Sequence, residues 1–136
     1  MSTKVWRIDR EEVLHRLKAW AQELAQNRDV LAVVVFGSLA RGDCTPASDA
    51  DVLILLSHAE ARFQDRIFRF LPLGLGIGVD PFPYTVEEAQ QALAERWGVV
   101  EVALREGLVL CERQGVLAKL KEVSRGSQSR PDQETG

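Results

Sequence analysis

Two aspartates stand two residues apart at the start of an apolar segment, and their type and spacing could do chemistry. Asp49 and Asp51 precede the run Val-Leu-Ile-Leu at 52–55, which predicts a buried strand. Side chains at positions i and i+2 of a strand project from the same face, with Cα atoms roughly 6.6 Å apart. Carboxylates this close repel by on the order of 3 kcal/mol at an effective dielectric of about 20. The pair therefore predicts a bound cation, and Mg²⁺, which usually arrives with phosphates, suits carboxylate oxygens.

A glycine–serine pair ends the apolar run that comes before the aspartates. Residues 33–36, Val-Val-Val-Phe, predict a first buried strand that stops at this pair. The pattern G-S-x-x-R-G at 37–42, followed by S-D-x-D at 48–51, resembles the core motif of the polymerase-β-type nucleotidyltransferase superfamily. The short chain resembles the minimal branch of that superfamily, the MntA-like antitoxins of HEPN–MNT toxin–antitoxin pairs.

The resemblance implies that the turn after the first strand binds phosphate. Gly37 would let the backbone approach a triphosphate closely. Ser38 would add a hydroxyl and open a short helix whose N–H groups attract anions. Arg41, one turn further on, would add a charge-assisted phosphate contact. Two plainer interpretations stay open: an ordinary strand-to-helix turn with a Ser cap, and a solvated surface charge at Arg41.

A third acidic residue, Asp80, lies in a later apolar segment. Its context, V-D-x-x-x-Y-T at 79–85, resembles the strand that carries the third carboxylate of the superfamily. The resemblance implies that Asp80 removes a proton from the attacking hydroxyl. Pro81 and Pro83 follow at once, and proline is poorly tolerated in a central strand. Asp80 is therefore expected at a sheet edge or at a bulge.

The remaining segments predict a series of helices and strands. Apolar residues at helical spacing run to about Gln26, with Asp9 as the N-cap, and the first strand begins near Val30. Thr85 and Glu88 predict a capping box at the start of a later helix. The other predicted elements are an amphipathic helix that packs Phe63, Ile67, Phe70 and Leu71 into the core, a last strand over 108–111 and a final helix over 114–123.

The composition indicates one small domain. The chain has 136 residues, 46% hydrophobic, and a net charge of −3, which does not favour binding to nucleic acid. We expect an α+β fold over 1–123, a small mixed β-sheet of the polymerase-β type with helices packed on it, and a disordered polar tail over 124–136. Cys44 and Cys111 are too isolated for a disulfide framework. Without an apolar leader or a long apolar run, the sequence predicts a cytoplasmic protein.

The resemblance also implies a reaction and a partner. Asp49, Asp51 and Asp80 would hold two Mg²⁺ ions, and AMP would pass from ATP to a tyrosine or another hydroxyl of a HEPN-type RNase toxin that assembles with this chain. Little sequence remains for an acceptor-binding domain, so the acceptor is expected on a separate protein, which argues against a small-molecule nucleotidyltransferase. One alternative from another class stays open, a binding module that neutralises its toxin by occlusion.

Overall fold

A computed structural model describes residues 10–42, 49–72, 78–95 and 98–123. In these ranges four strands form one mixed sheet in the order β3-β2-β1-β4. The strands are β1 (Val30–Phe36), β2 (Ala50–Leu56), β3 (Val79–Thr85) and β4 (Leu108–Glu112). The helices are α1 (Arg10–Leu24), α2 (Ser38–Arg41), α3 (Phe63–Arg69), α4 (Val86–Ala94), α5 (Val99–Glu106) and α6 (116–123). The predicted α+β class, a small mixed sheet with helices packed on it, is confirmed.

The sheet is covered on both faces, which explains why β1 is apolar throughout and β2 is apolar from Val52 to Leu56. Every residue of β1 is buried. On β2, Val52 and Ile54 pack toward a core that includes α1, whereas Leu53 and Leu55 pack toward a second core that includes α4, α5 and α6. The side chains that the described helices bury in these cores are Leu17, Trp20, Ala21 and Leu39 on one face and Ala89, Ala92, Leu93, Val100, Ala103, Val116, Leu117 and Leu120 on the other.

Strand β3 lies at one edge of the sheet, which is where its two prolines indicate it should lie. It pairs with β2 in parallel and in continuous register, from Ala50 opposite Val79 to Leu56 opposite Thr85. Successive residues of a strand direct their N–H and C=O groups to opposite sides. Arg66 of α3 donates to the carbonyl of Pro83 at 2.9 Å, which shows that this carbonyl points away from β2. The prolines therefore lack an N–H group on the side where the sheet has no further strand.

A buried arginine fastens this edge strand to two helices. Arg66 is only 7% exposed, and its two terminal nitrogens donate to the carboxylate of Glu88 at 2.6 and 3.0 Å. The same carboxylate accepts from the Thr85 N–H, and the Thr85 hydroxyl accepts from the Glu88 N–H, so the predicted capping box is confirmed. Glu88 thus closes the start of α4 and neutralises Arg66 at the same time.

The predicted apolar stripe of α3 is only partly confirmed. Phe63 packs edge-on against Tyr84, and Phe70 packs against the core on the α1 side of the sheet. Leu71, however, is 43% exposed, and the residue that α3 buries is Arg66. The ion pair with Glu88 turns the Arg66 side of α3 inward. The spacing of apolar residues in the sequence does not indicate such a pair.

Other boundaries shift by a few residues. Helix α1 ends at Leu24, β4 extends to Glu112, and α6 begins at 116. Several predictions fall outside the described residues: the Asp9 cap, Cys44 and the tail over 124–136. None of the helices within the described ranges is long and apolar enough to cross a membrane.

The Arg66–Glu88 pair predicts an acid-sensitive stability. Hydrogen bonding from Arg66 lowers the pKa of Glu88 below its ordinary 4.5, so the pair stabilises the fold above that pH and the contribution is lost as the pH falls through the lowered pKa. We expect Glu88→Gln to lower the free energy of unfolding at pH 7 by about 1 kcal/mol, the value of a charge-assisted hydrogen bond reduced for solvent screening. Denaturant unfolding of both proteins from pH 7 to pH 3 measures this difference.

The difference between wild type and Glu88→Gln should shrink below pH 4.5, because protonated Glu88 resembles glutamine. Glu87→Gln, on the exposed side of the same helix turn, is the matched control and should change little. A difference that stays constant over the whole pH range would contradict the ion-pair account.

Candidate active site

Gly37 makes the turn between β1 and α2 and lies directly against Asp51. Its φ of 79° is in the left-handed region that favours glycine. A Cβ added to Gly37 would collide with the Asp51 carboxylate. The backbone conformation therefore favours glycine here, and the absence of a side chain leaves room for the Asp51 carboxylate.

Ser38 begins the one-turn helix that the sequence predicts, but it does not cap that helix. Gly37 occupies the N-cap position and no side chain makes a capping hydrogen bond. The turn is closed by backbone bonds instead, from the Arg41 N–H to the Gly37 carbonyl at 3.0 Å and from the Gly42 N–H to the Ser38 carbonyl at 2.9 Å. The plain interpretation of Ser38 as an ordinary helix cap is thus wrong.

Asp49 lies beside the segment that leads into β3. The Ala50 N–H donates to the Gly78 carbonyl at 2.9 Å, which continues the β2–β3 pairing back toward Asp49. A Cβ on Gly78 would collide with the Asp49 carboxylate. Each of the first two predicted carboxylates therefore occupies a space that a glycine on a neighbouring segment leaves open.

The register of the sheet brings Asp80 next to Asp51. The two residues are direct partners in the parallel β2–β3 ladder, and Phe36 is the partner of Asp51 on the other side. Partners on adjacent strands are about 4.8 Å apart and project from the same face. Asp51 is half-buried, whereas Asp49 and Asp80 are exposed. The three predicted acidic residues thus lie at the same end of the sheet, and Asp51 is the half-buried one.

The electrostatics of Asp51 reflect this crowding. Burial raises the pKa of Asp51 above its ordinary value, and the negative charges of Asp80 and Asp49 raise it further. The Arg41 guanidinium acts in the opposite direction and lowers the pKa. A positive charge placed among the three carboxylates would therefore relieve an unfavourable arrangement.

The donor set and its surroundings fit a hard divalent cation. Carboxylate oxygens are the ligands that Mg²⁺ prefers, and the glycines at 37 and 78 leave room for two of the carboxylates. Within the described ranges, no three acidic, histidine or cysteine side chains already stand together in a metal-holding arrangement. The side chains stand apart because like charges repel. The exposed Asp49 and Asp80 side chains would have to rotate for the carboxylates to converge on a cation.

Arg41 has a protein partner that the sequence did not indicate. Its Nη1 donates to the Glu106 Oε1 at 2.9 Å. Arg41 is thus more than a solvated surface charge, and its predicted contact with phosphate stays a prediction. Gly78 and Glu106 are the neighbours of the site that sequence reasoning missed. A glutamate in the last turn of a helix, where the helix dipole disfavours it, was the available signal for Glu106.

The fold and this site define a class, and comparisons with known proteins identify it. A family model described as "Nucleotidyltransferase domain" matches residues 17–112. The chain is 32% identical over 138 aligned residues to a bifunctional uridylyltransferase/uridylyl-removing enzyme of Pseudomonas putida, covering 98% of this chain but 15% of that enzyme. It is 40% identical over 96 residues to the enzyme of the same name from Pseudomonas entomophila, covering 68% of this chain and 10% of that one.

Two solved structures share the fold. A Sulfolobus solfataricus protein assigned as a nucleotidyltransferase superposes with a TM-score of 0.54 at 24% identity, over 77% of this chain and 85% of its own. A chain from a toxin–antitoxin structure with AMP-PNP superposes with a TM-score of 0.50 at 13% identity, over 93% of this chain and 89% of its own. The chain belongs to the nucleotidyltransferase domain family, which confirms the predicted resemblance at that level.

The collision at Gly37 can be separated from the strain of its backbone. We expect Gly37→Ala to lower the free energy of unfolding by about 1–2 kcal/mol for the positive φ plus about 0.5–1.5 kcal/mol for moving the Asp51 carboxylate away from the added methyl group. Gly115→Ala is the matched control, since Gly115 has a φ of 63° but nothing within 4 Å of an added Cβ. Denaturant unfolding measures both variants, and equal losses would contradict the close approach of Asp51 to Gly37.

Because Asp49 and Asp80 act electrostatically on Asp51, we expect the negative charge of Asp51 to lower the stability of the fold in the absence of cations. We expect Asp51→Asn, in EDTA, to raise the free energy of unfolding by on the order of 1 kcal/mol, because it removes charge repulsion at the half-buried position. Millimolar Mg²⁺ or Mn²⁺ should raise the Tm of the wild type more than that of the variant. A lower Tm for Asp51→Asn in EDTA would contradict this account.

Proposed function

We propose that this protein transfers a nucleoside monophosphate from a nucleoside triphosphate to a hydroxyl group of another protein. The observation that supports the proposal is the placement of Asp49, Asp51 and Asp80 at the same end of the sheet as the Gly37-Ser38 turn. The turn offers backbone and a hydroxyl to the phosphates, and the carboxylates offer ligands for divalent cations. When bound, such cations would neutralise the triphosphate and polarise the phosphorus under attack.

Each of the three carboxylates has a stated role in the proposed reaction. Asp49, Asp51 and Asp80 would hold the divalent cations, with two Mg²⁺ ions as the expected complement. Asp80 accepts the proton of the attacking hydroxyl. The hydroxyl oxygen forms a bond to the α-phosphorus, the bond from that phosphorus to the bridging oxygen breaks, and pyrophosphate leaves in line. The exposure of Asp80 on the edge strand suits a base that must meet a group on a large acceptor.

The acceptor that we propose is a tyrosine or another hydroxyl of a HEPN-type RNase toxin. Two findings support a toxin partner: the motif resembles that of MntA-like antitoxins, and one structure with the same fold is a toxin–antitoxin solved with AMP-PNP. An added nucleotide would place negative charge and bulk where RNA phosphates must bind, which would silence an RNase. This chain would then act as an antitoxin in the cytoplasm, assembled with its target.

ATP is the donor that the antitoxin resemblance favours, and UTP is the donor that the similarity to uridylyltransferases favours. The described residues at the site are carboxylates and a glycine–serine turn, which address the phosphates and cations that all nucleoside triphosphates share. The experiment must therefore offer both nucleotides.

The test is transfer of label from α-³²P-ATP or α-³²P-UTP, with Mg²⁺, to the helical protein encoded beside this chain. We expect label on the partner, abolished by EDTA and by Asp49→Asn or Asp51→Asn. Asp80→Asn should lower the rate by about 10²- to 10⁴-fold, the range for a general base. Asp65→Asn, an exposed carboxylate on α3, is the matched control and should keep full activity.

Two outcomes separate catalysis from simple binding. Transfer of label that depends on all three carboxylates supports the proposed reaction and identifies the base. If no label moves while wild type and the Asp49→Asn and Asp51→Asn variants silence the partner equally, the protein neutralises its partner by occlusion and the enzymatic proposal fails.

A further inference from the structure

The ion pair between Arg41 and Glu106 connects the short helix after the Gly37-Ser38 turn to an element distant in sequence. The two residues are 65 positions apart, and the Arg41 Nη1 lies 2.9 Å from the Glu106 Oε1. Glu106 is the last residue of α5, where its negative charge faces the negative end of the helix dipole. A carboxylate at that end of a helix is unfavourable on its own, so the nearby Arg41 guanidinium stabilises Glu106 in this position. The Glu106 side chain is 24% exposed, which shields the pair partly from water.

The junction after Glu106 is fixed in place by close packing. The Gly107 N–H donates to the Ala103 carbonyl at 2.9 Å. A Cβ on Gly107 would collide with that carbonyl and with the Val34 side chain of β1. Leu108, the next residue, pairs with Val35, two positions before Gly37. Glu106 therefore precedes a closely packed junction beside the end of β1, where the Gly37-Ser38 turn begins.

Arg41 also lies beside the carboxylate site, because its N–H donates to the Gly37 carbonyl at 3.0 Å and Gly37 lies directly against Asp51. The long and flexible Arg41 side chain is 48% exposed at the mouth of the site. Its ion pair with Glu106 restrains it there. A guanidinium has five N–H donors in a planar fork and can bind a carboxylate and a phosphate at the same time. Restraint before the nucleotide arrives lowers the entropy that is lost on binding.

We propose that Glu106 is a positioning residue for the nucleotide, which holds the Arg41 guanidinium beside the three carboxylates so that it meets the triphosphate. The inference rests on the proposed function, since it needs a triphosphate at the Gly37-Ser38 turn. Glu106 acts through Arg41 and does not itself touch the reacting atoms.

The test is the affinity for ATP and for UTP, each with Mg²⁺, measured by calorimetry on the full chain. We expect Glu106→Ala to weaken binding of the preferred nucleotide about tenfold, a loss equal to about 1.4 kcal/mol. Glu106→Gln keeps a hydrogen-bond acceptor for Arg41 and should stay within about threefold of the wild type. Arg41→Ala should weaken binding at least as much as Glu106→Ala, and the double variant should bind no worse than Arg41→Ala, since both changes remove one contact.

A split between KM and kcat distinguishes positioning from a general loss of structure. In the transfer assay Glu106→Ala should raise KM for the nucleotide about tenfold with kcat nearly unchanged, because Arg41 holds the triphosphate alike in the ground state and the transition state. Glu101→Gln on the same helix breaks the exposed pair with Arg105 and is the matched control. It should leave both constants at the values of the wild type.

Three results would overturn the inference. Binding by Glu106→Ala that equals or exceeds that of the wild type would mean that Glu106 is inert or competes with phosphate for Arg41. Additive losses in the double variant would mean that the two residues act separately. Failure of the wild type to bind either nucleotide would overturn the proposed function together with this inference, whereas the first two results leave the proposed function standing.

Discussion

The parallel pairing of β2 with β3 is the constraint on which the site depends. It makes Asp51 and Asp80 direct partners, so two like charges face the same side of the sheet at adjacent positions. A slip of one residue would turn Asp80 to the opposite face and separate the pair. The fold therefore has to hold this register against the repulsion that the register itself creates.

Contacts at the edge of the sheet help to hold the register. Arg66 reaches from α3 to the carbonyl of Pro83 and to Glu88, which fixes β3 between the helices that precede and follow it. The prolines of β3 occupy the positions whose amide groups would point outward, so the edge presents fewer donors to other strands. Along β2, apolar side chains packed on both faces oppose any slip.

Local signals in the sequence reveal the frame of this fold and much of its site. Apolar runs predicted β1 and β2, the capping box predicted the start of α4, and two prolines predicted that Asp80 lies at a sheet edge or at a bulge, of which the structure shows the edge. Spacing alone could not show that Glu88 binds Arg66 or that Glu106 binds Arg41, because each pair joins residues 22 or 65 positions apart. Gly78 was hidden for the same reason: its closeness to Asp49 arises only when β3 pairs with β2.

The central claim is that the three carboxylates hold divalent cations beside a nucleotide's phosphates. The most direct measurement is anomalous X-ray scattering from crystals grown with Mn²⁺ and a non-hydrolysable nucleoside triphosphate. Our account predicts manganese between Asp49, Asp51 and Asp80, with the triphosphate running toward Gly37 and Ser38. Manganese bound elsewhere, or a triphosphate seated away from these residues, would contradict it.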